Sequence, residues 1–176
     1  MVMRREMQQC LERGMSRRDI FLRFQGRGVN DMRLAKRVAT LVTRRRQDEC
    51  FLLNWLLIIA VVCLTLFVII TLEIRAVVYL PVLANGGVVV MVLLSLAHIV
   101  GFLRFHFDAY VSCTLVSGAL AAVFVLAFWF WPVIAGSGVL VAMVNLLLAL
   151  HTRRELFPDM DMLDVRRTAS GAFFTD

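Results

Sequence analysis

Four polar side chains stand near the ends of stretches that are largely apolar: Asn54, His98, Ser112 and Asn145. Each lies about one turn from the end of a run rich in Leu, Val, Ile, Ala and Phe. Polar groups in such runs are costly in hydrocarbon and mark either function or helix contact. If the four meet as one cluster, His98 is its titratable member and two chemistries are open. One is binding of a proton or small substrate, because an imidazole changes charge near neutral pH. The other is hydrogen bonding between helices, which fixes how they pack. No carboxylate or arginine accompanies His98 inside the runs. A single neutral imidazole makes a poor transport pathway, which favours the packing reading.

Spacing marks a second set. Gly87, Met91, Ser95 and His98 recur at i, i+4, i+8 and i+11, and Gly138, Ala142, Asn145 and Ala149 at i, i+4, i+7 and i+11. Thr114, Gly118 and Ala121 share a third face with Ser117 beside it, and Asn54 and Thr65 share a fourth. Faces of small and polar residues let helices approach closely in lipid and bond across the contact. The candidate packing residues are therefore Gly87, Ser95, Thr114, Gly118, Gly138 and Ala142.

Reactive constellations are not visible. The chain has no Gly-x-Ser-x-Gly, no His-Glu-x-x-His and no phosphate-binding glycine loop, so no enzymatic activity and no cofactor are expected. Ala135-Gly136-Ser137-Gly138 reads as a turn and helix start. Asp159, Asp161 and Asp164 lack the Gly and closing Glu of a calcium loop. Cys10, Cys50, Cys63 and Cys113 show no metal-ligand spacing and read as reduced structural thiols. Ser170 after Arg166 and Arg167 loosely suggests a basophilic phosphorylation site.

The elements that must position these residues follow from length. A helix rises about 1.5 Å per residue, so roughly 20 apolar residues cross the hydrocarbon core. Four such segments fit: residues 51–72, 82–103, 109–131 and 133–150, none containing Asp, Glu, Lys or Arg. They are apolar all round, unlike the one-sided stripe of a soluble helix. The expected fold is an all-α integral membrane protein, a four-transmembrane-helix bundle with a small helical N-terminal segment in the cytoplasm. Asn85, Gly86 and Gly87 leave open a broken or re-entrant second helix.

Charge sets the expected orientation. Thirteen of the 19 Lys and Arg precede the first span, and Arg153 and Arg154 follow the last. By the positive-inside rule both termini are cytoplasmic. Phe128 to Trp131 would form the outer aromatic belt, and Trp55, Phe102, Phe105, Phe107 and Tyr110 the inner one. The membrane is read as a bacterial inner membrane, and the start of the chain does not read as a cleavable signal peptide, since fifty charged and polar residues precede the first apolar run.

Residues 1–50 read as short helices. The first runs to Arg13 and is closed by Gly14, and the second follows Ser16 and Asp19 with apolar Ile20, Phe21 and Phe24. Asn30 caps a third, in which Leu34, Val38, Leu41 and Val42 share a face before it runs on through Arg44 toward the membrane. The order of Gly14-Met15-Ser16, Asp19-Ile20, Gly28-Val29-Asn30 and an apolar helix resembles small three-helix modules of the ubiquitin-associated kind. That resemblance implies a compact helical module and carries no function over. Residues 151–176 read as a tail that Phe157-Pro158 releases from the last helix, its acids meeting the basic N-terminal segment.

The functional expectation is a non-enzymatic accessory or scaffold subunit of a larger membrane assembly. Arg44, Arg45, Arg46, Arg153 and Arg154 are its candidate contacts to an anionic inner leaflet, at roughly 1 kcal/mol each, or to a protein partner. Other membrane subunits or self-association are the expected partners. Nucleic acid fits poorly, because the aromatics do not interleave with the arginines. The rival expectation is a small transporter, channel or pore former with its polar cluster around His98.

Overall fold

The four apolar segments are helices, and what positions their polar residues is how each one starts and stops. A computed structural model describes residues 2–26, 28–75, 81–161 and 164–165. The short helices are α1 (Val2–Glu12), α2 (Arg17–Phe24), α3 (Asp31–Ala39) and α4 (Arg44–Glu49). The long ones are α5 (Phe51–Arg75), α6 (Pro81–Leu103), α7 (Phe107–Ala127) and α8 (Pro132–Leu156). Among the described residues there is no strand beyond one isolated bridge between Met160 and Val165. Each long helix contains a stretch long and apolar enough to cross a bilayer. The protein is an all-α, multi-pass membrane protein built on a four-helix bundle.

The chain divides into two compact units, one of Met1–Cys50 with Arg153–Asp176 and one of Phe51–Thr152. In the first, side chains cap the short helices. Ser16 accepts from Asp19 N at 3.1 Å and donates to Asp19 Oδ2 at 2.8 Å, and Asn30 accepts from Met32 N at 2.9 Å. Gly14, at φ 85°, ends α1 by letting Met15 N reach Cys10 O at 3.1 Å. Met7, Ile20, Phe24, Leu34 and Val38 are buried between the helices, and Leu156, Phe157, Met160 and Val165 are buried in the same unit.

The third helix does not run on toward the membrane as its apolar spacing suggested. It stops at Ala39, and a new helix begins at Arg44 behind the Thr43 cap. Leu41 and Val42 are buried as expected, but on non-helical backbone. Their carbonyls are taken by side chains from other helices: Arg17 Nη2 donates to Leu41 O at 2.9 Å and Gln8 Nε2 to Val42 O at 3.0 Å. Those bonds replace the backbone partners a continuous helix would supply.

In the second unit α6 packs against both α5 and α7. Leu64 and Val68 of α5 meet Ala121 and Phe124 of α7 and Ala142 of α8 in one apolar cluster. Phe124 stands edge-on to Phe67, with ring centroids 5.6 Å apart. The second span is an unbroken helix through Asn85, Gly86 and Gly87, because glycine costs a membrane helix only conformational entropy when its backbone bonds close internally.

Two boundaries differ from the expected spans. α7 ends at Ala127, so Phe128 to Trp131 form the connection instead of completing the helix. Pro132 is the reason: it fits the first position of a helix and disfavours helical backbone just before it. Ala135 to Gly138 consequently lie inside α8 and not in a turn, with Ser137 Oγ bonded back to Val133 O at 3.0 Å and Ile134 O at 2.9 Å. The α8 helix also continues beyond residue 150 to Leu156, where Phe157-Pro158 ends it.

Candidate functional site

Asn54, a turn inside α5, is held at both ends of its amide. Its Nδ2 donates to Phe102 O at 3.1 Å, and its Oδ1 accepts from Tyr110 Oη at 2.7 Å. Both partners come from the junction of α6 and α7. The same aromatic pair carries the contact further: Phe102 lies 4.8 Å from the Tyr110 ring and stacks on His98 at 6.0 Å with an interplanar angle of 13°. His98 Nε2 then meets Ser112 Oγ at 2.9 Å. Ser112 Oγ also lies within bonding distance of Ala109 O, at 3.2 Å, so the hydroxyl sits between the imidazole and a backbone carbonyl.

The tight α6–α7 junction makes this possible. Gly101 and Ala109 approach so closely that a Cβ on Gly101 would lie 2.3 Å from that of Ala109. Phe105 closes the turn at φ 50°, with Phe105 N on Phe102 O at 3.0 Å and His106 N on Gly101 O at 2.8 Å. This is the paired-bond helix end that usually takes glycine.

Asn145 takes a different partner. Its Nδ2 donates to Ser117 Oγ at 2.8 Å and approaches Cys113 Sγ at 3.8 Å. Thr65 and Ser95 pair by their hydroxyls across α5 and α6, and Thr65 also donates to Val61 O at 2.7 Å. Of the four expected cluster residues, Asn54, His98 and Ser112 are therefore joined through Phe102 and Tyr110. Asn145 shares only a cavity wall with His98. Spacing along single helices could not pair Asn145 with Ser117, 28 residues away.

The packing residues behave unequally. Ala142, Ser95 and Thr114 are buried, with Thr114 Oγ1 turned back to Tyr110 O at 2.8 Å. A Cβ on Gly138 would meet the Phe124 ring at 2.6 Å, so this glycine lets α7 and α8 close. A Cβ on Gly87 would meet Leu72 Cδ1 at an ordinary 3.4 Å, and one on Gly118 would find nothing within 4 Å. Gly101 was not among the spacing-derived residues, although it follows His98 at i+3 and continues the face of Gly87, Met91 and Ser95. Tyr110 was read as an interfacial aromatic. It is 0% exposed, and Phe102 and Phe107 are buried with it, while Trp55 and Phe128 to Trp131 remain exposed. A hydroxyl-bearing ring one turn inside α7 is the signal that could have found Tyr110.

Among the basic candidates, Arg44 and Arg154 are exposed and Arg46 is half-buried. Arg45 is exposed and bonded to Glu49 at 2.8 Å, which raises its pKa first through that hydrogen bond and then through the carboxylate charge. Arg153 is buried, so it faces away from solvent and lipid headgroups alike. Asp159 pairs with Arg17, so an acid of the tail meets the basic N-terminal segment as expected. No group of three His, Cys, Asp or Glu among the described residues is placed to hold a metal ion. Ser170, Arg166 and Arg167 lie outside the described residues.

Comparison of the chain with protein-family models, with curated proteins and with solved structures finds no match.

Proposed function

We propose that the protein is a non-enzymatic accessory or scaffold subunit of a larger membrane assembly. In this reading it lies in a bacterial inner membrane with both termini cytoplasmic, and its extramembrane helical unit binds a partner. The observation that carries the reading is the mutual pairing of the intramembrane polar groups: Asn54 with Tyr110, His98 with Ser112, Thr65 with Ser95, and Asn145 with Ser117. Such pairs fix the register of a bundle and leave His98 engaged rather than poised to carry a substrate. The Arg17–Asp159 ion pair ties residues from before the first span to residues after the last. That supports placing both ends on one side of the membrane, independently of counting crossings.

Affinity purification from native membranes in mild detergent, with identification of co-purifying proteins, tests the proposal. A stoichiometric membrane partner is expected, and it should be lost when Arg44, Arg45 and Arg46 are changed together to Glu. Recovery of a lone monomer or a self-assembled ring would overturn it. One observation favours the rival transporter or channel reading, the small cavity, lined in part by polar side chains, that reaches His98. That reading requires His98→Ala to alter ion or proton flux in proteoliposomes, whereas the scaffold reading expects no change.

A further inference from the structure

A small cavity opens among α5, α6, α7 and α8, with Thr65, Ser95, His98, Cys113, Ser117 and Asn145 as its polar lining. The space open to the centre of a water molecule is ≈ 10 Å³, about what a single water requires. Asn145 is 1% exposed, and its Oδ1 has no protein partner, although its Nδ2 is engaged by Ser117 and Cys113. A buried amide oxygen left so is rare in a native interior.

We propose that this cavity binds one water molecule, which donates one hydrogen to Asn145 Oδ1 and the other to Ser95 Oγ. Ser95 is available as acceptor for a definite reason. Thr65 sends its hydroxyl proton to Val61 O, so in the Thr65–Ser95 pair Ser95 is the donor and keeps lone pairs free. The water thereby links α8 to α6, two helices whose Asn145 and Ser95 do not bond directly. Chemistry excludes the other small occupants. A metal or alkali cation would find neutral hydroxyl and amide oxygens and no carboxylate, leaving its charge uncompensated in the bilayer. An apolar occupant would leave Asn145 Oδ1 unpaired. The inference stands apart from the scaffold reading, since a sequestered water serves any stable bundle.

A crystal structure of the full chain grown from a lipidic mesophase, at a resolution that orders water, is the test. One isolated peak is expected about 2.8 Å from both Asn145 Oδ1 and Ser95 Oγ, and it should be lost in Asn145→Leu. The wild-type map alone decides the matter if that variant fails to fold. A dry cavity would overturn the proposal. So would a file of waters reaching either membrane face, or a site that takes up rubidium on soaking and shows its anomalous signal.

Discussion

Arg17 and Asp159 are 142 positions apart in the chain and form a direct ion pair. Arg17 Nη1 meets Asp159 Oδ2 while Nη2 of the same guanidinium donates to Leu41 O at 2.9 Å. One side chain of α2 thus secures both the segment that follows α8 and the extended backbone between α3 and α4. Burial lowers the Arg17 pKa, and the Asp159 charge and hydrogen bond act in the opposite direction. The guanidinium stays charged at any working pH.

The two halves of the pair differ in what their loss leaves behind. The Arg17 side chain is 14% exposed and that of Asp159 36%, so an abandoned carboxylate regains water more readily than an abandoned guanidinium. Asp159→Asn is expected to destabilise the protein by about 1–3 kcal/mol, and Arg17→Met by more, since it also takes the donor from Leu41 O. Thermal unfolding of the purified protein, with proteolysis after Phe157 as a local readout, checks the order of the two. An Arg17→Met effect no larger than that of Asp159→Asn would show that the Leu41 bond adds little to the hold.

Gly14 and Phe105 end their helices with the same pair of backbone bonds, at φ 85° and φ 50°. Glycine occupies the left-handed region freely, but phenylalanine there clashes through its Cβ. Phe105→Gly should therefore raise the melting temperature in detergent, corresponding to roughly 1 kcal/mol. The converse change, Gly14→Ala, should lower it. A fall for Phe105→Gly would mean that the ring's packing outweighs the backbone strain.

Two glycines on opposite sides of the packing argument separate spacing from geometry. Gly101→Ala drives a Cβ to 2.3 Å from Ala109 and should cost about 1–3 kcal/mol, loosening the Asn54–Tyr110 bond with it. Gly118→Ala meets nothing within 4 Å and should be neutral or slightly stabilising. Unfolding titrations in mixed micelles distinguish them.

Cys50 is buried, and burial pushes its thiol pKa up, with Glu155 and Glu49 adding to the rise and Arg46 opposing it. The folded state therefore keeps the proton after the unfolded chain has released it. Below the ordinary thiol value the two states bind the proton equally and stability is unaffected. Above about pH 8.5 the unfolded chain gains by ionising, so stability falls as pH rises. Melting temperatures should decline more steeply between neutral and alkaline pH for the wild type than for Cys50→Ala. Parallel curves would assign the alkaline loss to other groups.

The bilayer-crossing character, the number of long helices and the capped starts at Ser16 and Asn30 were legible in composition and local spacing. Hydrocarbon rejects charge over any run of about 20 residues, and a cap acts on backbone only two or three residues away. The candidate polar residues were legible too, since Asn54, His98 and Asn145 are conspicuous among Leu and Val. Their partners were not. Whether Asn54 reaches Tyr110 or Asn145 reaches Ser117 depends on helix rotation and on the close approach at Gly101, and the spacing within one helix names no partner on another. The break after Ala39 was equally hidden: Leu41 and Val42 keep a helical spacing, and only Arg17 and Gln8, arriving from elsewhere in the chain, supply the bonds that let the backbone leave the helix. Local sequence determines where a helix is permitted, and tertiary contact decides where it stops, because an unpaired backbone carbonyl must find a donor wherever the fold can bring one.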